Sequence, residues 1–343
     1  LEVLASNLRN PYEPTVDSFG NVYISDNDDD GNEQTRIDYI FEGGSYGYRM
    51  PDTVSRRKGN RRLDAVHWNE DQPGTIPKMI KTGFGSPTGL MAYEGTLLPD
   101  LRGQLIHCDA GPGEVRAFNP AADGAGKFAE MEVLLSCPED PWFRPVDACA
   151  APDGSVFIAD WYDAGVGGHN MADAQQGRIY RLTKKNEGGS YVSPSLELDT
   201  PKGLEEAFTS ANQARRYLAY EAIGAMTTDS ATLPLLKLFD CDDAVARVRA
   251  FWLLAQDPAK QHAIVKKVLA SDNSAHRIMA VRALSRFVEN GEDLIEMVIN
   301  DPEPGVRRQL LLEMGFPYRG EQGKLASRTD GKLYATWFKA LPA

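Results

Sequence analysis

The chain has 343 residues, with 49 acidic against 37 basic side chains and a formal net charge of −12. Its 42% hydrophobic and 9% aromatic content supports a packed core and excludes global disorder. The acidic balance excludes binding along a nucleic-acid backbone, which relies on clustered Lys and Arg. No apolar run reaches the roughly 18–20 residues of a spanning helix, so no membrane span is expected. The chain opens at Leu1 without a basic-then-apolar leader and reads as an internal piece of a longer protein. Four cysteines, with no C-x-x-C or C-x-x-C-H, give no disulfide framework, structural zinc or attached haem. Cys137 and Cys149 are expected as buried reduced thiols, with pairing in an oxidising compartment as the alternative.

In chain order, the first half repeats one pattern three times. Gly20-Asn-Val-Tyr-Ile-Ser-Asp26, Gly103-Gln-Leu-Ile-His-Cys-Asp109 and Gly154-Ser-Val-Phe-Ile-Ala-Asp160 each set a Gly six residues before an Asp. The Gly suits the positive φ of a tight hairpin turn, the apolar run a buried strand, and the Asp its end. A further strand follows each: Arg36–Ile40, Glu114–Phe118 and Gly177–Leu182. Apolar segments such as Ser86–Met91 and Glu132–Leu135 are expected to precede the turns, Glu132–Leu135 leading into the third unit. Such units bury their faces only against neighbours, which predicts about three blades of a partial β-propeller over residues 1–188.

Residues 189–200 have linker chemistry, with glycines followed by Pro194. Beyond them Arg216, Arg247, Arg277 and Arg307 recur 31, 30 and 30 residues apart, each opening an amphipathic stretch. Ala219, Ala250 and Ala280 fall three residues after the first three arginines, where close helix packing favours a small side chain. Second helices such as Leu233–Phe239 and Ala263–Leu269 lie between, with Asp or Asn in the turns. The period predicts a HEAT-like α-solenoid over 201–318, followed by a C-terminal extension, 319–343. The four arginines are expected to bond within or between repeats, and Arg249 to be exposed. The fold class is therefore multidomain, β then α.

Three groups of residues carry candidate chemistry. Arg9 can hold a carboxylate through paired hydrogen bonds. The run Asp26-Asn-Asp-Asp-Asp-Gly31 alternates carboxylates as a calcium loop does, which nominates Asp26, Asp28, Asp29 and Asp30 as metal ligands. The twelfth position is Ile37 and strands flank the run, so it is not an EF-hand. His169, in a Gly-rich loop near Asp163 and Asp173, is a candidate proton acceptor. Trp161 can stack on a flat cofactor or sugar.

Residues 1–185 resemble the C-terminal part of a glucose/sorbosone dehydrogenase propeller, a family using pyrroloquinoline quinone (PQQ) and calcium. Leu8-Arg-Asn-Pro11, Asp17–Asp26 and Ile37-Asp-Tyr-Ile-Phe-Glu-Gly-Gly-Ser-Tyr-Gly-Tyr48 carry the likeness, with Tyr93–Gly103 and Ala151–Ile158 matching later blades. Asp160-Trp-Tyr-Asp-Ala-Gly-Val-Gly-Gly-His169 followed by helical repeats resembles planctomycete-type membrane-bound dehydrogenases, in which a cytochrome c domain comes next. Three features depart from the family. Its catalytic histidine belongs to an earlier blade that this chain does not contain. Thr35-Arg36 stands where it has an acidic pair. Arg144-Pro-Val-Asp147 keeps one of the two arginines that grip quinone carboxylates.

The resemblance implies a periplasmic or extracytoplasmic quinoprotein that oxidises sugars or alcohols and passes electrons to a haem domain or other acceptor. It places Arg9 and His169 in catalysis, Arg9, Arg144, Asp109 and Trp161 on the cofactor, and PQQ with calcium as cofactors. The rival readings are a non-catalytic scaffold binding glycans or proteins, partly through the helical surface, and a calcium-dependent lactonase-type hydrolase.

Overall fold

The computed structural model describes residues 3–27, 34–48, 68–70, 72–165, 175–185, 189–226, 228–288 and 291–315. They divide into two compact units. The first holds residues 1–17, 21–121 and 127–223, and the second Ser18–Gly20, Ala122–Gly126 and 224–343.

In the first unit three antiparallel sheets follow one another. Sheet one contains β1 (Pro11–Val16), β2 (Val22–Asp26), β3 (Thr35–Ile40) and β4 (Ile80–Gly83), hydrogen-bonded in that order. Sheet two contains β5 (Pro87–Ala92), β6 (Leu105–Asp109), β7 (Glu114–Asp123) and β8 (Gly126–Ser136). Sheet three contains β9 (Pro145–Ala150), β10 (Val156–Asp160) and β11 (Arg178–Leu182). Gly20, Gly103 and Gly154, before the second strand of each sheet, have φ of +79°, +85° and +89°, the conformation their position requires.

The leading strands lie side by side. Glu13 on β1 accepts from Leu90 N on β5 at 3.2 Å, and Thr15 Oγ1 accepts from Ala92 N at 3.1 Å, so the two strands run in the same direction. Thr88 Oγ1 on β5 donates to Pro145 O on β9 at 3.1 Å. Tyr23, Ile37 and Tyr39 of sheet one pack with Leu90, Leu105 and Phe118 of sheet two. On the other face of sheet two, Ile106, Cys108 and Val115 pack with Ala148, Val156 and Ile158 of sheet three.

One strand expectation is corrected. Glu132–Leu135 is not the lead-in to the third unit but part of β8, the fourth strand of sheet two. The third sheet opens instead on β9, Pro-Val-Asp-Ala-Cys-Ala, whose small and polar residues hide its strand character. The cysteines are free, as expected, yet Cys137 and Cys149 are exposed rather than buried.

The first unit continues through α1 (Pro201–Thr209) and α2 (Gln213–Gly224), past the linker expected at 189–200. The reason is local bonding: Asn212 Nδ2 donates to Ala150 O at 2.7 Å, and Arg215 holds the carbonyls of Pro194 and Ser195.

The second unit contains α3 (Thr228–Phe239), α4 (Ala244–Leu254), α5 (Gln261–Leu269), α6 (Ser274–Phe287), α7 (Glu292–Val298) and α8 (Pro304–Gly315). Asp243 caps α4 and Asn273 caps α6 through their side-chain oxygens. The four periodic arginines share one geometry. Arg216, Arg247, Arg277 and Arg307 each donate to the carbonyl six residues earlier, at Ser210, Cys241, Ser271 and Asp301. Each thereby satisfies a carbonyl in the turn that ends the preceding helix. Ala219, Ala250 and Ala280 are fully buried, as expected at close helix contacts.

Arg249 is not exposed. It is 2% accessible and its Nε donates to Ser18 Oγ at 2.9 Å, while Trp252 Nε1 donates to Ser18 O and Arg282 Nη1 to Phe19 O. These bonds hold residues Ser18–Gly20 within the second unit, so this face of α4 is interior. No helix among the described residues is long and apolar enough to cross a membrane.

Replacing Ala250 by Leu overpacks a filled helix contact and should cost about 1–3 kcal/mol. The same replacement at exposed Ala244, in the same helix, should change stability by less than about 0.5 kcal/mol. Chemical denaturation of both variants checks this ranking.

Candidate functional site

The polar chemistry of the first unit concentrates where β2, β6 and β10 end. Each of β1, β5 and β9 begins with Pro, and the residue before a proline is held extended, its N–H beyond the strand ladder. The strand-ending Asp takes that N–H. Asn10 N donates to Asp26 Oδ1 at 2.8 Å, Ser86 N to Asp109 Oδ1 at 2.6 Å, and Arg144 N to Asp160 Oδ1 at 2.8 Å. Asp109 and Asp160 also accept from the amides two residues on, Gly111 N and Tyr162 N.

The other oxygen of each Asp faces an arginine from the next strand. Arg36 Nη2 lies 2.8 Å from Asp26, Arg116 Nη1 2.8 Å from Asp109, and Arg178 Nη2 2.8 Å from Asp160. All three Asp side chains are fully buried. Every arginine also meets a second acid: Arg36 with Asp38, Arg116 with Glu114, Arg178 with Asp140. The three sheet ends therefore share one device, a buried carboxylate that ties a preceding loop to a following strand through a guanidinium.

Burial dominates the local electrostatics. Asp38 is entirely enclosed, and desolvation raises its pKa to about 7 against the opposing pull of Arg36. Its oxygens have no aligned hydrogen bond, and Arg36, stacked on Trp68 at 4.3 Å, keeps one unbonded Nη1. His107 is fully buried with neither ring nitrogen bonded, and desolvation lowers its pKa to about 3, so it is neutral at physiological pH. Burial also pushes the Asp109 carboxyl up, with Arg116 opposing.

These placements decide among the nominated residues. Asp26 does not suit a calcium ion. Its oxygens accept from Arg9 N, Asn10 N and the Arg36 guanidinium, which leaves no face for a cation. Asp28, Asp29, Asp30 and His169 lie outside the described residues. Among the described residues no group of three His, Cys, Asp or Glu gathers as a metal would require. Asp109 is similarly enclosed, and it is bonded to Ser86 N, Gly111 N and the Arg116 guanidinium.

Arg9 and Arg144 both sit in loops that lead into the first strand of their sheet, and both side chains are half-buried. Arg144 Nη1 donates to Phe143 O, while its buried Nε has no partner. Trp161 is 50% exposed. The pairing of Arg36, Arg116 and Arg178 with these acids is not visible in the sequence, because loops of different length set them 10, 7 and 18 residues after their Asp.

Residues 1–186 match the model of a family described as a domain of unknown function, DUF7133. The chain belongs to this DUF7133 family. No curated protein matches it. Among solved structures, a glucose dehydrogenase is 16% identical with a TM-score of 0.40, over 54% of this chain and 47% of that one. The PQQ-bound aldose sugar dehydrogenase of Streptomyces coelicolor is 16% identical with a TM-score of 0.36, over 53% and 45%. The apo form of the soluble aldose sugar dehydrogenase of Escherichia coli is 14% identical with a TM-score of 0.38, over 54% and 47%. The chain spans about half the length of these structures.

Removing Asp109 leaves the amides of Ser86 and Gly111 without an acceptor and strips Arg116 of its buried partner. Asp109→Ala should cost about 3 kcal/mol or more. Asp240→Ala, which breaks an exposed pair with Lys267 at 2.8 Å, should cost under about 1 kcal/mol. Equal losses in urea unfolding would contradict the role assigned to Asp109.

Proposed function

We propose that the chain is part of a quinoprotein-type sugar or alcohol dehydrogenase, its sheets being blades of a β-propeller and its helices a HEAT-like solenoid. One observation carries the reading. Arg144 directly precedes the proline of β9 and Arg9 lies two residues before the proline of β1, so both sit half-buried in the loop entering the first strand of their sheet, with a guanidinium N–H on Arg144 left unbonded. Two cationic forks so placed suit an anionic quinone, whose carboxylates and carbonyl oxygens take paired hydrogen bonds. The ordered motifs from Arg9 to Tyr48 support the same reading.

PQQ, when bound, supplies the two-electron acceptor. Arg9 and Arg144 would hold its oxygens, and Arg9 would stabilise negative charge that builds on reduction. His169 is this chain's own proton-acceptor candidate. Calcium does not fit at Asp26, and no step is assigned to it. Electrons would leave through a haem domain or soluble acceptor, in an extracytoplasmic compartment.

The saturated bonding of Asp26 and Asp109 favours one alternative, a scaffold that keeps the blades and has lost the chemistry. The natural full-length protein, supplied with PQQ and calcium and given a panel of sugars and alcohols, should reduce an artificial dye. Arg9→Ala should lower kcat by roughly 100-fold. No PQQ-dependent spectral change and no activity across the panel would select the scaffold.

A further inference from the structure

The end of sheet three carries a surface that the quinone reading does not use. Two loops are zipped together there: Trp161 N donates to Arg144 O at 2.9 Å, and Asp163 N to Trp142 O at 3.0 Å. They present Trp142, 39% exposed, and Trp161, 50% exposed. Between the two zipper bonds lies Tyr162, whose φ of +52° is an uncommon conformation for a bulky side chain. Its ring meets Trp142 at a centroid distance of 5.6 Å and carries the Arg178 guanidinium at 3.9 Å. Arg178 is fixed in turn by Asp140 at 3.0 Å and Asp160 at 2.8 Å. The cluster is rigid, aromatic and open.

One further atom points to a ligand. Asp163 is 7% exposed and its Oδ2 has no hydrogen-bond partner, although Oδ1 accepts from Gly165 N. A buried acceptor lacking a partner is expensive to leave so, and a hydroxyl can satisfy it.

Charge selects the ligand class. The Arg178 guanidinium is already paired with Asp140 and Asp160, and Asp163 adds a further carboxylate, so a polyanion such as a tricarboxylate gains nothing. A flat apolar face beside mixed donors and acceptors fits a neutral pyranose, which stacks its C–H face on an indole and bonds through its hydroxyls. Two exposed indoles on adjoining loops offer room for more than one ring.

We propose that Trp142, Trp161 and Tyr162 form a platform that binds a neutral oligosaccharide, with Asp163 bonding a hydroxyl. The platform needs no quinone, so its test stands apart from the redox reading. The chain, without cofactor, is screened against an array of neutral oligosaccharides and then titrated calorimetrically with the best binder, with glucose, and with citrate. Binding that strengthens from glucose to the oligomer, falls at least 10-fold in Trp161→Ala and in Trp142→Ala, and is unchanged in Tyr217→Ala is expected. Tyr217 is a 60% exposed aromatic on α2 and serves as the control. Circular dichroism confirms that each variant is folded, and Trp161→Phe should retain most of the affinity. Failure to bind any neutral oligosaccharide, binding indifferent to both tryptophan substitutions, or citrate as the preferred ligand would overturn the proposal.

Discussion

A carboxylate buried at the end of each second strand is the constraint on which the sheets depend. A proline opens the leading strand of every sheet, and its rigid predecessor presents an N–H that the ladder does not reach. Asp26, Asp109 and Asp160 accept that N–H and bring an arginine with them. The arrangement joins three pieces of chain, the entering loop, the second strand and the third, at one buried point. It also explains why the acids are spent: a carboxylate bonded on both oxygens has structural value and little left for a metal. The loops it positions are those that carry Arg9, Arg144 and Trp161, so loop geometry is inherited from the buried pairs.

The helices solve the opposite problem with the opposite charge. A helix ends with carbonyls that have no partner, and Arg216, Arg247, Arg277 and Arg307 each reach back six residues to one in the turn before. Asp243 and Asn273 meanwhile accept the first amides of the next helix. Both halves therefore repeat because one side chain per repeat closes the backbone's hydrogen bonding at an element end. The hydrophobic contacts then follow from that spacing, as with the buried Ala219, Ala250 and Ala280.

Much of this was legible in the sequence because it recurs at fixed spacing. The Gly-to-Asp interval exposed the second strands, and the arginine period exposed the helices. What stayed hidden varies in spacing or contradicts composition. β9 is built of Pro, Val, Asp, Ala and Cys and pairs with β10 through its backbone register, which no propensity reveals. Arg36 stood out only as a departure from an acidic pair, yet it bridges Asp26 and Asp38 inside the sheet end. Asp26 looked like the first ligand of a calcium loop because sequence shows alternation and not which lone pairs are already used. Arg249 looked exposed because the helical pattern does not show that a second face of α4 is covered by Ser18–Gly20.

The most direct test of the buried carboxylate's role reads the amides it holds. Native-state hydrogen exchange followed by NMR reports the N–H groups of Asn10, Ser86 and Arg144, which lie outside every strand ladder. The account predicts that all three exchange as slowly as the amides of β2, β6 and β10, because each is a donor to a buried Asp. Exchange at the rate of exposed loop amides would contradict it, since the strand-end aspartates would then not be closing the sheets.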